Sequence, residues 1–294
     1  MEDYLVKIEE PHQRTADLGD APDSSNNYNV DMSAYSGVGP LPVVVKADYP
    51  TVYGTGSPPH GPIHWHPDRV AYLGGDVTLE TEADFGYDED PTNNIIPPRD
   101  MADMDKADDG VKIPLNLPHC RRTKFDYIVS VVHPIDELYV NVWFDWDRDG
   151  DWDDVADCGC ANDISNVARG LAREWAVRNQ ILTGLPAGIH KMTTPSFLPY
   201  HPFRSADDAH LVDPIWMRIT ISERPWRPDT ASISADMSGY GGCGPKGGYK
   251  IGETEDYFFV PTTRRIEHAD LDNDLTVSYS DFALFASQWL TQSP

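Results

Sequence analysis

Short runs of alternating apolar and polar residues recur along the chain, separated by turn-forming residues. In the clearest run, residues 138–144, every second side chain from Leu138 to Phe144 is apolar, which is typical of a strand with one buried face. Residues 214–222 form a second strong run, rich in β-branched and aromatic side chains. The same pattern predicts further strands at residues 124–132, 174–178, 188–193, 249–250 and 255–260. Long helical periodicity is absent before the C-terminus.

Many strands without interleaved helices predict a mainly β fold, an antiparallel β-sandwich of jelly-roll-like form with long loops. The 25 prolines and 22 glycines that punctuate the chain fit this class. Long loops are expected at residues 84–109 and 223–248, and loops of that length are usually functional or held by a metal or a disulfide. A short helix is expected within residues 163–176.

The charge balance separates this chain from an average globular protein. Lys and Arg number 23 against 48 Asp and Glu, a formal net charge of −25. Such a chain is a poor partner for nucleic acid, and its compact state favours bound cations. No run approaches the 18 apolar residues that a membrane-spanning helix needs, and no signal peptide is visible at Met1.

The acids concentrate in two loops with calcium-like spacing. In the first, Gly150 occupies the sixth position and carboxylates occupy every second position, as in a loop that wraps around Ca²⁺. The candidate ligands are Asp145, Asp147, Asp149, Asp151 and Asp153. Position twelve is Ala156, so another ligand must come from elsewhere. The alternative is a solvated acidic turn, but five close carboxylates without a cation repel one another.

The second loop precedes an amphipathic helical pattern at residues 281–290. Its candidate calcium ligands are Asp270, Asp272, Asp274, Thr276 (by its carbonyl), Ser278 and Asp281. Leu275 stands where a glycine is expected, which weakens the pattern because a left-handed non-Gly residue costs about 1–2 kcal/mol. Together the two loops predict two or more bound Ca²⁺ ions. A solvated acidic loop is again the alternative.

Two further segments could bind metal. Acids continue through residues 80–109, where Asp105, Asp108 and Asp109 are candidate ligands and a flexible acidic loop is the alternative. In a Pro-rich segment, His64 and His66 point the same way if the chain is extended, so that His60, His64 and His66 could hold Zn²⁺ or Cu²⁺. Surface imidazoles on a Pro-rich loop are the more ordinary interpretation.

The four cysteines are Cys120, Cys158, Cys160 and Cys243. In a secreted protein they favour two disulfides, in which Cys120 and Cys243 pair with the neighbours Cys158 and Cys160. The sequence leaves the connectivity open. A zinc site that includes His119 is the alternative.

Several ordered motifs resemble the bacterial GEVED domain. They lie at residues 17–23, 48–51, 72–74, 108–111, 143–152, 185–188, 217–222 and 252–257, with Thr254 where the family usually has Val. The resemblance covers about residues 14–261, and residues 268–290 resemble one half of a type I dockerin repeat. It implies a non-catalytic β-sandwich module of secreted or cell-surface proteins, with calcium-type Asp loops. Docking to a cohesin is not expected, because a dockerin needs two such loops.

Residues 2–6 repeat the pattern of residues 255–259. The N-terminal strand therefore resembles the end of a preceding GEVED copy, which divides the chain into residues 1–13, 14–262 and 263–294. The chain is either a fragment of a longer protein or adds residues 2–8 as a strand to a neighbouring domain or subunit, as in a homo-oligomer. Chance similarity is the alternative.

These observations favour an extracellular or cell-surface, calcium-binding structural or assembly module of a matrix or filament protein. A carbohydrate-binding or adhesion module of a secreted degradative enzyme is the second hypothesis, since eight Trp and 14 Tyr can form sugar platforms. A glycoside hydrolase is the least favoured, because no nucleophile elbow, phosphate loop or His-Glu-x-x-His helix is present. We therefore expect no catalysis.

Overall fold

The computed structural model describes residues 15–35, 44–55, 59–89, 95, 106–158, 170–201, 213–227 and 241–262, together with 279, 282–284 and 286. Strands dominate this part of the chain. They are β1 (Ser33–Tyr35), β2 (Val45–Lys46), β3 (Ala71–Leu73), β4 (Asp126–Val131), β5 (Ile135–Phe144), β6 (Val155–Asp157), β7 (Leu171–Arg173), β8 (Trp175–Leu185), β9 (Gly188–Thr193), β10 (Ile215–Ser222) and β11 (Gly252–Phe259). A short 3₁₀ helix, Pro67–Arg69, precedes β3.

Two antiparallel sheets form the sandwich. The larger has the order β11-β10-β5-β8 and the smaller the order β3-β4-β9, while β1-β2 and β6-β7 form separate two-stranded ladders. In the larger sheet, Met217 of β10 lies opposite Tyr257 on one side and Phe144 on the other. The predicted mainly β, antiparallel sandwich is confirmed.

The first hydrophobic core lies between the two sheets. The alternating apolar positions of β5, from Leu138 to Phe144, are fully buried there beside Val129 and Val131 of β4 and Ile219 of β10. Burial of alternate side chains on one face is what a period-two apolar pattern produces. The side chains that the sequence predicts to be buried in this strand are therefore those that lie in the core.

A second core covers the other face of the larger sheet. All eight residues of β10 are buried, because Trp216 and Arg218 on its outer face are covered by the N-terminal segments 15–35 and 44–55. Aromatic rings fill this layer: Tyr49 lies 4.4 Å from Trp152 and 5.8 Å from Trp216, measured between ring centroids. The molecule thus has a third layer of loops, which the alternation along the strands does not predict.

The strand predictions hold except at residues 249–250, where Tyr249 forms an isolated bridge with His64 and β11 begins at Gly252. The strand expected at residues 174–178 continues to Leu185, as β8 pairs with β5 over that length. The helix expected within residues 163–176 is wrong for the described part, because Leu171–Arg173 pairs with β6 as a strand. Hydrogen bonds from that partner strand decide the local structure there.

Few residues near the two ends of the chain belong to the part that the structure describes. Residues 279, 282–284 and 286 are helical, in agreement with the helix expected in the C-terminal segment. The N-terminal strand at residues 2–8 and the calcium ligands of the loop at residues 270–281 lie outside the described residues. In the part of the chain that the structure describes, no helix has the length and apolar character required to span a membrane.

Candidate functional site

The acidic loop that follows β5 is organised around a buried carboxylate, that of Asp145. Its Oδ1 accepts hydrogen bonds from the backbone amides of Arg148 and Asp149 at 2.7 and 3.2 Å, and its Oδ2 accepts from the amide of Gly150 at 3.1 Å. The Tyr49 hydroxyl donates to the same Oδ2 at 2.5 Å. Asp145 is fully buried. It therefore folds the loop back over the end of β5 and attaches it to the N-terminal layer.

The loop needs backbone conformations that favour glycine. Gly150 has φ 100°, and a Cβ at this position would clash with the carbonyl oxygen of Lys46. Its own carbonyl accepts a hydrogen bond from the Asp48 amide at 2.8 Å. The glycine expected at the sixth loop position is thus required by the turn and by the close approach of β2.

Three of the five predicted ligands come together in this loop. One carboxylate oxygen from each of Asp145, Asp147 and Asp149 lies within 4.8 Å of the other two. Two oxygens that bind the same Ca²⁺ at 2.3–2.6 Å can be at most about 5 Å apart, so this spacing fits one ion. Asp151 and Asp153 follow in the same loop, where the Asp153 amide donates to Asp151 Oδ1 at 3.0 Å. Loop carbonyls and water would complete the six to eight oxygens that Ca²⁺ takes.

Glu174, between β7 and β8, holds both ends of this loop. Its Oε1 accepts from the Trp146 amide at 2.7 Å and its Oε2 from the Asp154 amide at 2.9 Å. Its own amide donates to the Asp154 carbonyl at 3.1 Å. No local sequence pattern indicates this role of Glu174, because it lies 28 and 20 positions away from the amides it binds.

Burial and mutual repulsion disfavour the charged form of these acids. Burial, then the charge of Asp149, raises the pKa of Asp145 to about 6, and the same two causes raise the pKa of Asp147 to about 7. Burial also raises the pKa of Asp151 to about 7 and holds the pKa of Glu174 well above its usual value. A divalent cation among the carboxylates would offset that repulsion and restore their charged form.

The one arginine in the loop is directed elsewhere. Arg148 is buried, and its guanidinium donates to the carbonyl oxygens of Trp146, Asp213 and Pro214 and to Nδ1 of His201. None of these hydrogen bonds reaches a loop carboxylate. Arg148 therefore anchors the loop to the start of β10, and the local excess of negative charge remains.

The predicted histidine site is not assembled. His64 is fully buried, with Nδ1 3.0 Å from the Ile251 carbonyl and Nε2 3.0 Å from the Thr254 hydroxyl. Both nitrogens therefore have protein partners, and its ring stacks on Tyr249 at 4.9 Å. His60 Nδ1 lies 3.0 Å from the Tyr53 carbonyl. Among the described residues, a grouping of three potential metal ligands occurs at Asp145, Asp147 and Asp149, and His66 joins no such group.

The third acidic region binds backbone amides. Asp109 Oδ1 accepts from the Gly75 amide at 2.7 Å, and Glu82 Oε1 accepts from the Tyr53 amide at 2.8 Å. Asp108 and Asp109 form no three-ligand group with other described residues, and Asp105 lies outside them. These acids hold loops together, so their number does not indicate a metal site here.

One of the two predicted disulfides is present. Cys120 and Cys158 are bonded, with Cα atoms 5.3 Å apart. The zinc alternative loses two of its thiolates, because Cys120 and Cys158 are bonded to each other. Cys160 lies outside the described residues, so a disulfide that involves Cys160 and Cys243 stays a prediction.

The acids of β11 have a structural role that the sequence did not indicate. Glu253 Oε2 accepts from the Leu73 amide at 2.5 Å, and Glu255 Oε1 accepts from the Gly110 amide at 2.8 Å. On the opposite face of the strand, Asp256 Oδ2 accepts from the amides of Asp20 and Ala21, both at 2.8 Å. Successive residues of this strand thus fasten different loops to the two faces of the sheet.

One protein-family model matches part of the chain. Residues 139–260 match the family model of the GEVED domain. That range runs from β5 through the acidic loop to β11, so the GEVED resemblance is confirmed there. It does not include residues 268–290, and the dockerin resemblance stays a prediction. A search of curated proteins found no match for the chain.

Proposed function

We propose that the chain is a non-catalytic, extracellular, calcium-binding structural or assembly module. The observation that carries the proposal is the grouping of three carboxylates in a loop whose backbone is already fixed. Asp145, Asp147 and Asp149 supply the oxygens. Glu174 and Tyr49 hold the loop from outside. A preorganised loop of oxygen ligands favours a hard cation.

The ligand set favours Ca²⁺ over other metals. Carboxylate and carbonyl oxygens suit calcium, magnesium or manganese, whereas Zn²⁺ and Cu²⁺ prefer nitrogen or sulfur ligands. Ca²⁺ accepts irregular geometry with six to eight oxygens, while Mg²⁺ needs a near-octahedral shell and retains its waters. We propose a second Ca²⁺ at the loop of residues 270–281, with Asp270, Asp272, Asp274, Thr276, Ser278 and Asp281 as its ligands.

The proposed ion would act on stability. The loop contacts β2 through Gly150, the N-terminal layer through Tyr49, and the junction of β7 and β8 through Glu174. A cation that binds only this folded arrangement stabilises it by about 2.7 kcal/mol at 100 times its Kd. Calcium would thus hold the outer layer on the sandwich.

The extracellular setting and the assembly role are parts of the same proposal. The Cys120–Cys158 disulfide supports an oxidising compartment, because such bonds are rare in the reducing cytosol. Assembly would use residues 2–8 as an added strand on a neighbouring domain or a second copy. A carbohydrate-binding module is the second candidate, and the arginine pocket described below favours it.

Thermal unfolding in chelator and in millimolar Ca²⁺ tests the proposal. We expect calcium to raise the Tm of the wild-type chain. Part of this rise comes from the loop that begins at Asp145, and the Asp147→Asn/Asp149→Asn double variant should lose most of that part. Asp136→Asn is a matched control, because this exposed acid of β5 lies outside the loop. A calcium-dependent Tm rise of equal size in all three proteins would contradict the assignment to this loop.

A further inference from the structure

One pocket of this acidic chain is lined by arginines. It has a volume of about 310 Å³ and contains Arg122, Arg173, Arg178, Trp175 and Ser196 in its wall. Its residues come from β7, the start of β8 and the segments around residues 122 and 197. The acidic loop contributes no residue to the wall. The pocket is therefore distinct from the proposed calcium site.

Covalent and backbone bonds hold the walls of this pocket together. The Cys120–Cys158 disulfide ties the segment with Arg122 to the end of β6, where the Cys158 amide donates to the Gly170 carbonyl at 3.2 Å. Thr123 and Phe197 exchange two backbone hydrogen bonds, of 2.9 and 3.0 Å. These links set the distance between Arg122 and the arginines of β7 and β8.

Arg178 lies over an anchored aromatic ring. Its guanidinium carbon is 4.7 Å from the centroid of Trp175, and Nε donates to the Trp175 carbonyl at 3.3 Å. The Trp175 ring is fixed by Nε1, which donates to Asn141 Oδ1 at 2.9 Å, and by stacking on Trp143. A guanidinium held over an aromatic ring in this way is preorganised for oxyanion binding, because less freedom is lost when its planar edge forms hydrogen bonds.

Within the part of the chain that the structure describes, the three positive charges have no acidic partner in an ion pair. Across the described ranges, no ion pair joins Arg122, Arg173 or Arg178 to a carboxylate. Burial, and then the neighbouring charge of Arg173, lowers the pKa of Arg178. A group of like charges in a chain with 48 acids is unusual, and a bound anion would offset their repulsion.

We propose that this pocket binds the oxyanion group, a carboxylate or a sulfate, of one sugar unit in an acidic polysaccharide. Arginine forks recognise such groups through paired N–H donors. The volume is at the low end of small-molecule sites, which suits one ring rather than a protein surface. Ser196 offers a hydroxyl to the sugar, and the side chain of Leu198 offers apolar contact. The inference goes beyond calcium binding and does not depend on it.

Calorimetric titration in chelator tests the proposal without calcium. The ligands are an oligogalacturonate, a sulfated oligosaccharide, a neutral oligosaccharide of equal length and a poly-glutamate peptide. We expect the wild-type chain to bind one or both acidic sugars, and to bind neither the neutral sugar nor the peptide. Comparing the affinities for the two acidic sugars shows whether a carboxylate or a sulfate is preferred. Binding should weaken at higher salt, as expected for an ionic contact.

Variants assign the binding to the pocket. Arg173→Gln/Arg178→Gln should weaken binding of the acidic sugar at least tenfold at an unchanged Tm. Arg69→Gln, a single charge change at an exposed residue outside the pocket, should leave it within twofold. The proposal is overturned if neither acidic sugar binds, if the double variant binds as well as the wild type, or if poly-glutamate binds equally well. Because calcium is absent, failure here would leave the metal proposal standing.

Discussion

Arg218 and Asp256 form a fully buried, two-pronged ion pair between adjacent strands. Arg218 Nε donates to Asp256 Oδ1 at 2.7 Å and a terminal nitrogen donates to Oδ2 at 2.6 Å, and neither side chain is exposed. Asp256 Oδ2 also accepts from the amides of Asp20 and Ala21, both at 2.8 Å. The Arg218 guanidinium also donates hydrogen bonds to the Thr51 hydroxyl and to the Gly242 carbonyl. The pair therefore connects the sheet to the layer that covers it.

The first prediction concerns this ion pair. Asp256→Asn leaves a buried guanidinium without its counter-charge and should lower the free energy of unfolding by about 3–5 kcal/mol. The control is Asp126→Asn, which breaks the exposed pair with Lys191 and should cost under about 1 kcal/mol. Urea unfolding of the two variants beside the wild type provides the measurement. Equal losses in the two variants would contradict the role of the buried pair.

The second prediction compares two glycines with positive φ. Gly150→Ala should destabilise the chain by more than about 2 kcal/mol, because the added Cβ strains the backbone and clashes with β2. Gly184→Ala, at φ 63° with no atom within 4 Å of the added carbon, should cost only the backbone strain, about 1 kcal/mol. Thermal unfolding measures both. A Gly150→Ala protein as stable as Gly184→Ala would show that β2 moves to accommodate the added Cβ without a loss of stability.

The third prediction concerns pH and the buried His64. Burial, followed by the charge of Arg218, lowers its pKa to about 3. A lowered pKa gives stability that is present above about pH 6.5 and is lost as the pH falls from 6.5 toward 3. The stability advantage of the wild type over His64→Gln should therefore shrink by about 2 kcal/mol between pH 7.5 and pH 5.

The variant comparison is needed because other groups titrate in the opposite sense. Burial raises the pKa of Glu255 to about 8, so this acid adds stability as the pH falls. That contribution is common to the wild type and to His64→Gln and cancels in the difference. Unfolding in chelator at each pH gives the two free energies. A difference that stays constant with pH would mean that His64 takes up a proton in the folded state as easily as in the unfolded chain.

The fourth prediction concerns the disulfide. Cys158→Ser removes a link across 38 residues and should lower the free energy of unfolding by about 2–5 kcal/mol. Because the same bond holds the segment of Arg122, acidic-sugar binding should weaken as well. Unfolding and titration of the variant check both effects. An unchanged stability and an unchanged affinity would together show that the backbone bonds between Thr123 and Phe197 suffice.

The elements that local pattern determines are those that the sequence predicted well. The alternation from Leu138 to Phe144 defines β5, and its buried face is the one the pattern indicates. The spacing of acids after β5 likewise brings Asp145, Asp147 and Asp149 together. Both are consequences of positions close in sequence, where backbone geometry fixes which side chains meet.

The remaining features depend on partners far along the chain. Asp145 meets Tyr49 across 96 positions, and Asp256 meets the Asp20 amide across 236. Charged residues are usually exposed, so the burial of Glu174 and of the acids in β11 has no local signal. His64 is a further case, because a histidine in a Pro-rich segment was expected at the surface and is fully buried in the structure. Only the assembled layers show that many of these acids bind backbone amides.

Calcium binding by the Asp145 loop is tested most directly by calorimetric titration of Ca²⁺ into the metal-free chain. We predict one Ca²⁺ site that disappears in Asp147→Asn/Asp149→Asn and persists in Asp136→Asn. Any second site, at residues 270–281, should be unchanged in the double variant. Each removed carboxylate takes away an oxygen ligand that the bound ion would need. A wild-type chain that binds no Ca²⁺, or a double variant that binds as many ions with the same affinity, would contradict the proposed function.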